Sequence, residues 1–182
     1  MGDFLDDTRD LLQRTPDVLR VLLGGLPESW TSTPDVEGGW RPRDVVGHLI
    51  SGELEDWIPR TRRILEDGSG RPFEPFDRFA REGRDDASTL DALIERFAEL
   101  RGENLTRLDE LVTDADLDRR GLHPALGEVT LRELLATWAV HDLDHVAQIY
   151  AGMAGSHDAG VGPWKTYLGI LLRRDDSAAV PG

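Results

Sequence analysis

Apolar residues recur at steps of three and four through most of the chain, a spacing that predicts four long amphipathic helices. The first spans residues 3–23 and places Phe4, Leu5, Thr8, Leu11, Leu12, Val18, Leu19, Leu22 and Leu23 on one side. Pro16 interrupts it and is expected to kink the helix or split it at Thr15. Residues 24–41 form a connection with Pro27, Pro34, Gly38 and Gly39. The second helix is expected over 42–67, opening at Trp40-Arg41-Pro42-Arg43-Asp44, with proline and an acidic residue in the first turn. Its inner stripe is Val45, His48, Leu49, Gly52 and Asp56, and Pro59 interrupts it. The third covers 87–112, with Leu90, Leu93, Ile94, Phe97, Leu100, Asn104, Leu108 and Leu111 inward. Asn104 in that stripe reads as a locally satisfied core amide. The fourth opens on a capping box, Thr130-Leu131-Arg132-Glu133, and runs to about residue 152. A short final helix is expected from Pro163 to Arg174, followed by a frayed tail over 175–182.

Between these helices, residues 68–86 form a long loop with Pro72, Pro75 and three phenylalanines, Phe73, Phe76 and Phe79. Three aromatics in one loop suggest that it packs down as a cover. Residues 113–129 read as a connection containing His123-Pro124 and Gly127. No segment shows period-two alternation and there is no internal repeat. The expectation is an all-α four-helix bundle forming one domain, residues 1–182, in which metal sites are built from side chains facing the bundle core.

Chemistry enters on the fourth helix. Leu131, Leu134, Leu135, Trp138, His141, His145 and Ile149 draw one stripe, so two of the five histidines face inward four residues apart. Positions i and i+4 stand about 6 Å apart, close enough for both rings to reach one metal ion at about 2.0–2.1 Å. His48 lies on the inner face of its own helix and is the obvious third ligand. Three imidazoles leave open coordination positions, as catalytic sites do. They suit zinc, nickel, copper or iron. The competing reading is a buried polar cluster of core histidines without metal. Asp142, Asp144 and Asp44 are candidates to orient the rings from behind. His123 and His157 fall in loops and read as turn or surface residues; a fourth ligand such as His123 would close the site.

Composition narrows the functions. A formal charge of −14, from 21 basic and 35 acidic residues, argues against nucleic-acid binding and against adhesion to anionic membrane. No apolar run approaches the roughly 20 residues that span a bilayer, and the acidic start is unlike a signal peptide, so the expected location is cytoplasmic. The chain has no cysteine. A metal here must therefore be held by His, Asp or Glu, and any thiol chemistry needs a thiol from outside.

The ordered motifs carry a resemblance. Trp40-Arg41-Pro42-Arg43-Asp44-Val45-Val46-Gly47-His48-Leu49 resembles the first signature of the DinB/YfiT-like superfamily. His123-Pro124-Ala125-Leu126-Gly127-Glu128-Val129-Thr130-Leu131, continuing to His141-Asp142-Leu143-Asp144-His145-Val146-Ala147-Gln148-Ile149, is similar to its second. Val161-Gly162-Pro163-Trp164 with Tyr167-Leu168 resembles the ending of one branch. The resemblance covers roughly residues 38–172. It implies an up-down-down-up bundle, a metal site of His48, His141 and His145, a divalent transition metal such as zinc or nickel, a small-molecule substrate, and a homodimer. Two enzyme functions follow from it: transfer of an external low-molecular-weight thiol, or hydrolysis by metal-activated water. With no clear general base among Asp142, Asp144 and Glu55, the balance tips, on the resemblance alone, to thiol transfer. A non-catalytic metal-binding or stress-related bundle is the alternative.

Overall fold

The computed structural model describes residues 3–75 and 88–172. They form α1 (Phe4–Leu23), α2 (Pro42–Glu55), α3 (Trp57–Asp67), α4 (Leu90–Leu111), strands β1 (Arg120–His123) and β2 (Gly127–Thr130), α5 (Leu131–Gly155) and a short α6 (Asp158–Val161). Ion pairs fix the helix directions. Arg9 near the start of α1 meets Asp109 at the end of α4, and Arg20 at the end of α1 meets Glu95 at the start of α4. These two helices are therefore antiparallel. Arg43 of α2 bonds Ser88 just before α4, and Glu53 bonds Arg101 and Asn104 a few turns on, so α2 and α4 run parallel. His48 faces His141 and His145 while Glu53 faces Trp138, which sets α5 against α2. The order is up-down-down-up. Two consecutive parallel members need a return crossing of the whole bundle, which is why the connection after α3 is long.

Pro16 does not split α1, which is one helix of 20 residues. The missing amide at Pro16 leaves the Leu12 carbonyl without its helical donor. Arg101 Nη1 takes that place, donating to Leu12 O at 2.7 Å. The expected second helix does break, but at Asp56 (φ −113°, ψ −69°) rather than at Pro59. Pro59 sits in the first turn of α3, where no helical donor is needed. The break lets Trp57 fold back over Gly52. A Cβ on Gly52 would lie 2.9 Å from Trp57 Nε1, so the room beside His48 is taken by an indole that stacks on Trp138 at 5.5 Å and 11°.

The connection over 113–129 holds a feature that the periodicity did not show. β1 and β2 form an antiparallel hairpin in which Arg120 pairs with Thr130 and His123 with Gly127. Gly127, at φ +79°, closes a three-residue loop in the left-handed conformation such hairpins use. Two strands of four residues are too short to show alternation. The hairpin lies on α3 because Gly121 lacks a side chain; a Cβ there would come within 2.6 Å of Ile64 and 2.9 Å of Phe73. Phe73 is buried and its amide donates to Leu122 O at 2.9 Å, so this part of the 68–86 loop packs down as expected. Phe76 and Phe79 lie outside the described residues.

The expected C-terminal helical segment is present in broken form, as a 3₁₀ segment over Gly162–Tyr167 and helical residues again at 169–172, preceded by α6. Trp164 and Tyr167 are exposed. Arg174, its neighbour at 173 and the tail from 175 fall outside the described residues. No helix among the described residues is long and apolar enough to cross a membrane.

The core has two apolar clusters. One gathers Leu12, Trp57, Ile64, Leu105, Leu135 and Trp138 at the hairpin end. The other gathers Leu19, Leu49, Phe97, Leu100 and Ile149 at the opposite end. Between them each long helix contributes a buried polar residue: Thr15, Glu53, Arg101 and Asp142. Arg101 uses all five of its N–H groups there. Nε and Nη2 donate to Glu53, Nη1 and Nη2 to Asp142, and Nη1 to Leu12 O. Asn104 bonds the Glu53 backbone and carboxylate, which bears out its reading as a satisfied core amide.

Candidate metal centre

The inward stripe of α5 and the first turns of α2 bring His48, His141 and His145 together. His141 Nε2 lies 3.1 Å from His48 Nε2 and 3.1 Å from His145 Nε2. One ligand nitrogen from each ring lies within 4.8 Å of the other two. Tetrahedral ligands at about 2.0–2.1 Å from one ion stand roughly 3.3 Å apart, so the spacing is close to that of a metal cluster. His48 and His145 are buried and His141 is half-buried. Trp40 covers His48 at 4.7 Å and stacks near His145 at 6.2 Å, while Trp57 meets His141 edge-on at 5.1 Å.

Hydrogen bonding behind the rings sets a tautomer. Gln148 Nε2 donates to Asp35 Oδ2 at 3.1 Å, which turns Gln148 Oε1 toward His145. That oxygen accepts from His145 Nδ1 at 2.8 Å. With its proton on Nδ1, His145 presents a bare lone pair at Nε2, the condition for ligation. Gly152 allows the connection carrying Asp35 to close on α5, since a Cβ at 152 would lie 2.8 Å from Thr33 O.

Electrostatics favour neutral rings. Burial pushes the His141 imidazole down to about 3, helped by the neighbouring His145 and His48 and by Arg101. Burial also lowers His145, against the opposing pull of Gln148, Asp144, Asp142 and Asp35. Converging imidazole nitrogens fit a divalent metal; among the described residues no carboxylate joins the cluster.

The expected carboxylates behind the rings act elsewhere. Asp142 accepts from Arg101 and from Thr15, at 2.6 Å to the threonine hydroxyl, and no bond joins it to a ligand ring. Asp144 is exposed. Asp44 caps α2 through Arg41. Gln148 with Asp35 takes the role instead, and sequence reasoning missed both. The only signal for Gln148 was its place three residues after His145, on the adjacent turn of the helix.

A pocket of about 670 Å³ opens beside His48 and His141. Trp57, Phe73, Pro75, Leu126, Val129 and Leu134 give it apolar walls, and Asp56, Arg60 and His123 bring polar groups. Asp56 pairs with Arg60 at 2.5 Å. Burial pushes the Asp56 carboxyl up to about 6 despite that cation. Glu55, a possible base by sequence, is exposed, whereas its neighbour Asp56 turns inward. His123 is part of this wall and stands outside the three-histidine cluster. His157 meets Trp30 at 3.8 Å between ring centroids, tilted by 39°, as a structural ring contact.

A four-helix bundle whose core ends in three converging imidazoles, open on one side to a pocket, defines a metalloprotein-like class with room for a small molecule. Within that class the chain belongs to the DinB superfamily, whose sequence profile matches residues 11–149. A protein of Bacillus licheniformis, provisionally named a metal-dependent hydrolase, is 32% identical over 146 residues, covering 77% of this chain and 80% of its own. YfiT of Bacillus subtilis carries the same provisional name and is 28% identical over 142 residues, 76% of this chain and 78% of its own. The solved structure of YfiT, described as a probable metal-dependent hydrolase with an unusual four-helix bundle topology, aligns with a TM-score of 0.68 at 27% identity. That alignment covers 80% of this chain and 83% of YfiT.

Proposed function

We propose that the protein is a metal-dependent hydrolase of small molecules in which His48, His141 and His145 hold one divalent metal, zinc or nickel. The observation that carries the reading is the meeting of three imidazole nitrogens at the edge of a substrate-sized pocket. A metal held there would lower the pKa of a bound water toward about 7. The chain's own groups supply the rest. Gln148 and Asp35 orient His145, Trp40 shields His48 and His145 from bulk water, and the apolar walls hold the substrate body. Asp56, buried in the same pocket, accepts the proton released when water attacks.

Asp56 also reverses the balance between the two enzyme readings. Thiol transfer was favoured by the resemblance, with no clear base in the sequence; the buried Asp56 carboxyl in the pocket lining supports a base and so hydrolysis. An external thiol held by the same metal is the second reading, and the pocket's apolar lining suits its electrophile equally. Action in the cytoplasm belongs to the same proposal. So does a homodimer through Val140, Leu143 and Tyr150, which stay exposed on α5; a monomer in sedimentation would remove that part.

The test is a panel of aryl esters and amides offered to zinc-loaded and chelator-treated protein, with and without glutathione or cysteine. Metal-dependent hydrolysis without thiol is the expected result. Turnover that appears only with thiol would replace hydrolysis by transfer, and no turnover under either condition would remove the enzyme reading.

A further inference from the structure

His123 stands on the pocket wall with one nitrogen committed. Its Nδ1 accepts from the backbone amides of Ala125 at 3.1 Å and Leu126 at 3.2 Å. An imidazole nitrogen that accepts two N–H bonds carries no proton, so the proton of the neutral ring is on Nε2. The turn itself imposes this. Pro124, Ala125 and Leu126 form the loop of the hairpin, and the ring at its first position closes the loop as an Asx side chain would. Charging the ring would require a proton on Nδ1 and the loss of both bonds. Neither nitrogen is then available to a metal: Nδ1 is occupied and Nε2 is protonated.

The ring therefore has a single function left toward the pocket, as a fixed N–H donor. Its surroundings suit that function. Phe73 holds it edge-on at 6.0 Å, and the Arg60 guanidinium lies 5.3 Å from the same phenyl ring. Arg60 Nε faces Asp56, and no bond from its two outer nitrogens is seen among the described residues. Two donors thus meet one phenyl ring in the lining of a largely apolar pocket.

We propose that this wall is a recognition site for the oxygen of an apolar, preferably aromatic, acyl compound, with His123 Nε2–H donating to a carboxylate or carbonyl oxygen and Arg60 assisting. His123 is in this account a specificity-determining residue; the chemistry at the three-histidine cluster is left to the groups described above. The proposal extends the hydrolase reading by naming a substrate class, and rests on it only for the pocket being the substrate's.

The test uses benzoate and benzamide as probes and His123→Asn as the variant. Asparagine keeps an acceptor where Nδ1 stood and so preserves the turn, but it has no donor at the Nε2 position. Binding is followed in zinc-loaded and chelator-treated protein through the imidazole ¹⁵N signals and tryptophan fluorescence. The parent is expected to show a protonated Nε2 and bare Nδ1, with Nε2–H shifting saturably as ligand is added. His123→Asn is expected to keep the parental melting temperature and to bind about tenfold more weakly. Tighter binding of benzoate identifies a carboxylate as the preferred head, and tighter binding of benzamide a neutral carbonyl; either supports the site. Equal affinity in parent and variant, a proton on Nδ1, or failure of the parent to bind both probes would overturn it. If the probes bind as expected and zinc-loaded protein hydrolyses nothing, the recognition site stands and the hydrolase reading falls.

Discussion

Replacing Arg101 by methionine is expected to destabilise the fold by about 3–5 kcal/mol, read as a lower urea midpoint at unchanged m-value. Methionine fills much of the same volume, so the loss is electrostatic rather than a cavity. Arg101 is 1% exposed, and its guanidinium lies between Glu53, at 3%, and Asp142, at 1%. Removing it leaves two carboxylates facing one another in the core. Burial already holds the Glu53 carboxyl above the usual range, even with Arg101 beside it. The Leu12 carbonyl loses its donor as well. This last part can be separated, because Pro16→Ala returns the helical amide to Leu12. In the Arg101→Met background Pro16→Ala is expected to recover about 1 kcal/mol. A loss below about 1 kcal/mol for Arg101→Met would mean that the layer is relieved by water or by protonation and does not hold the four helices in register.

The second large effect concerns the pocket. Asp56→Asn is expected to slow metal-dependent hydrolysis by about 10²-fold or more at neutral pH. The pH profile carries the more specific signature. A base must be ionised to accept a proton, and this carboxyl is pushed up to about 6. Activity of the parent should therefore rise with pH through about 6 and level off above it, as the carboxylate form fills. The asparagine variant cannot titrate there, so that acidic limb should vanish while metal content stays the same. An unchanged limb in Asp56→Asn would assign it to another group, and unchanged turnover would remove Asp56 from the mechanism.

What could be read from the chain was whatever lay on a long, regular stripe. His48, His141 and His145 stood among apolar residues at helical spacing, and folding brings their nitrogens together as that spacing implied. Arg101 stood on such a stripe too, between Phe97 and Asn104 with Leu108 beyond, but an arginine there reads as solvated surface unless its counter-charges are known. Those came from two other helices, as Glu53 of α2 and Asp142 of α5. The Arg101 bond to Leu12 O satisfies the carbonyl that Pro16 leaves without a helical donor inside the unbroken α1, and no local reading of α1 contains that information. The hairpin escaped because each strand has only four residues, and His123 with it, since its role depends on two amides beyond Pro124. Asp56 was placed correctly on the inner stripe; its burial beside Arg60, on which its proposed use as a base rests, arises only once α2 breaks and Trp57 folds back.

The central claim is that three imidazoles hold one metal, and metal content tests it most directly. The protein should be purified without a histidine tag or chelator, dialysed against zinc or nickel at neutral pH, and compared with His141→Ala. About one equivalent per chain in the parent and little in the variant is the predicted result. No bound metal in the parent, or an equal amount in His141→Ala, would contradict it, and the three histidines would then be a polar cluster of the core.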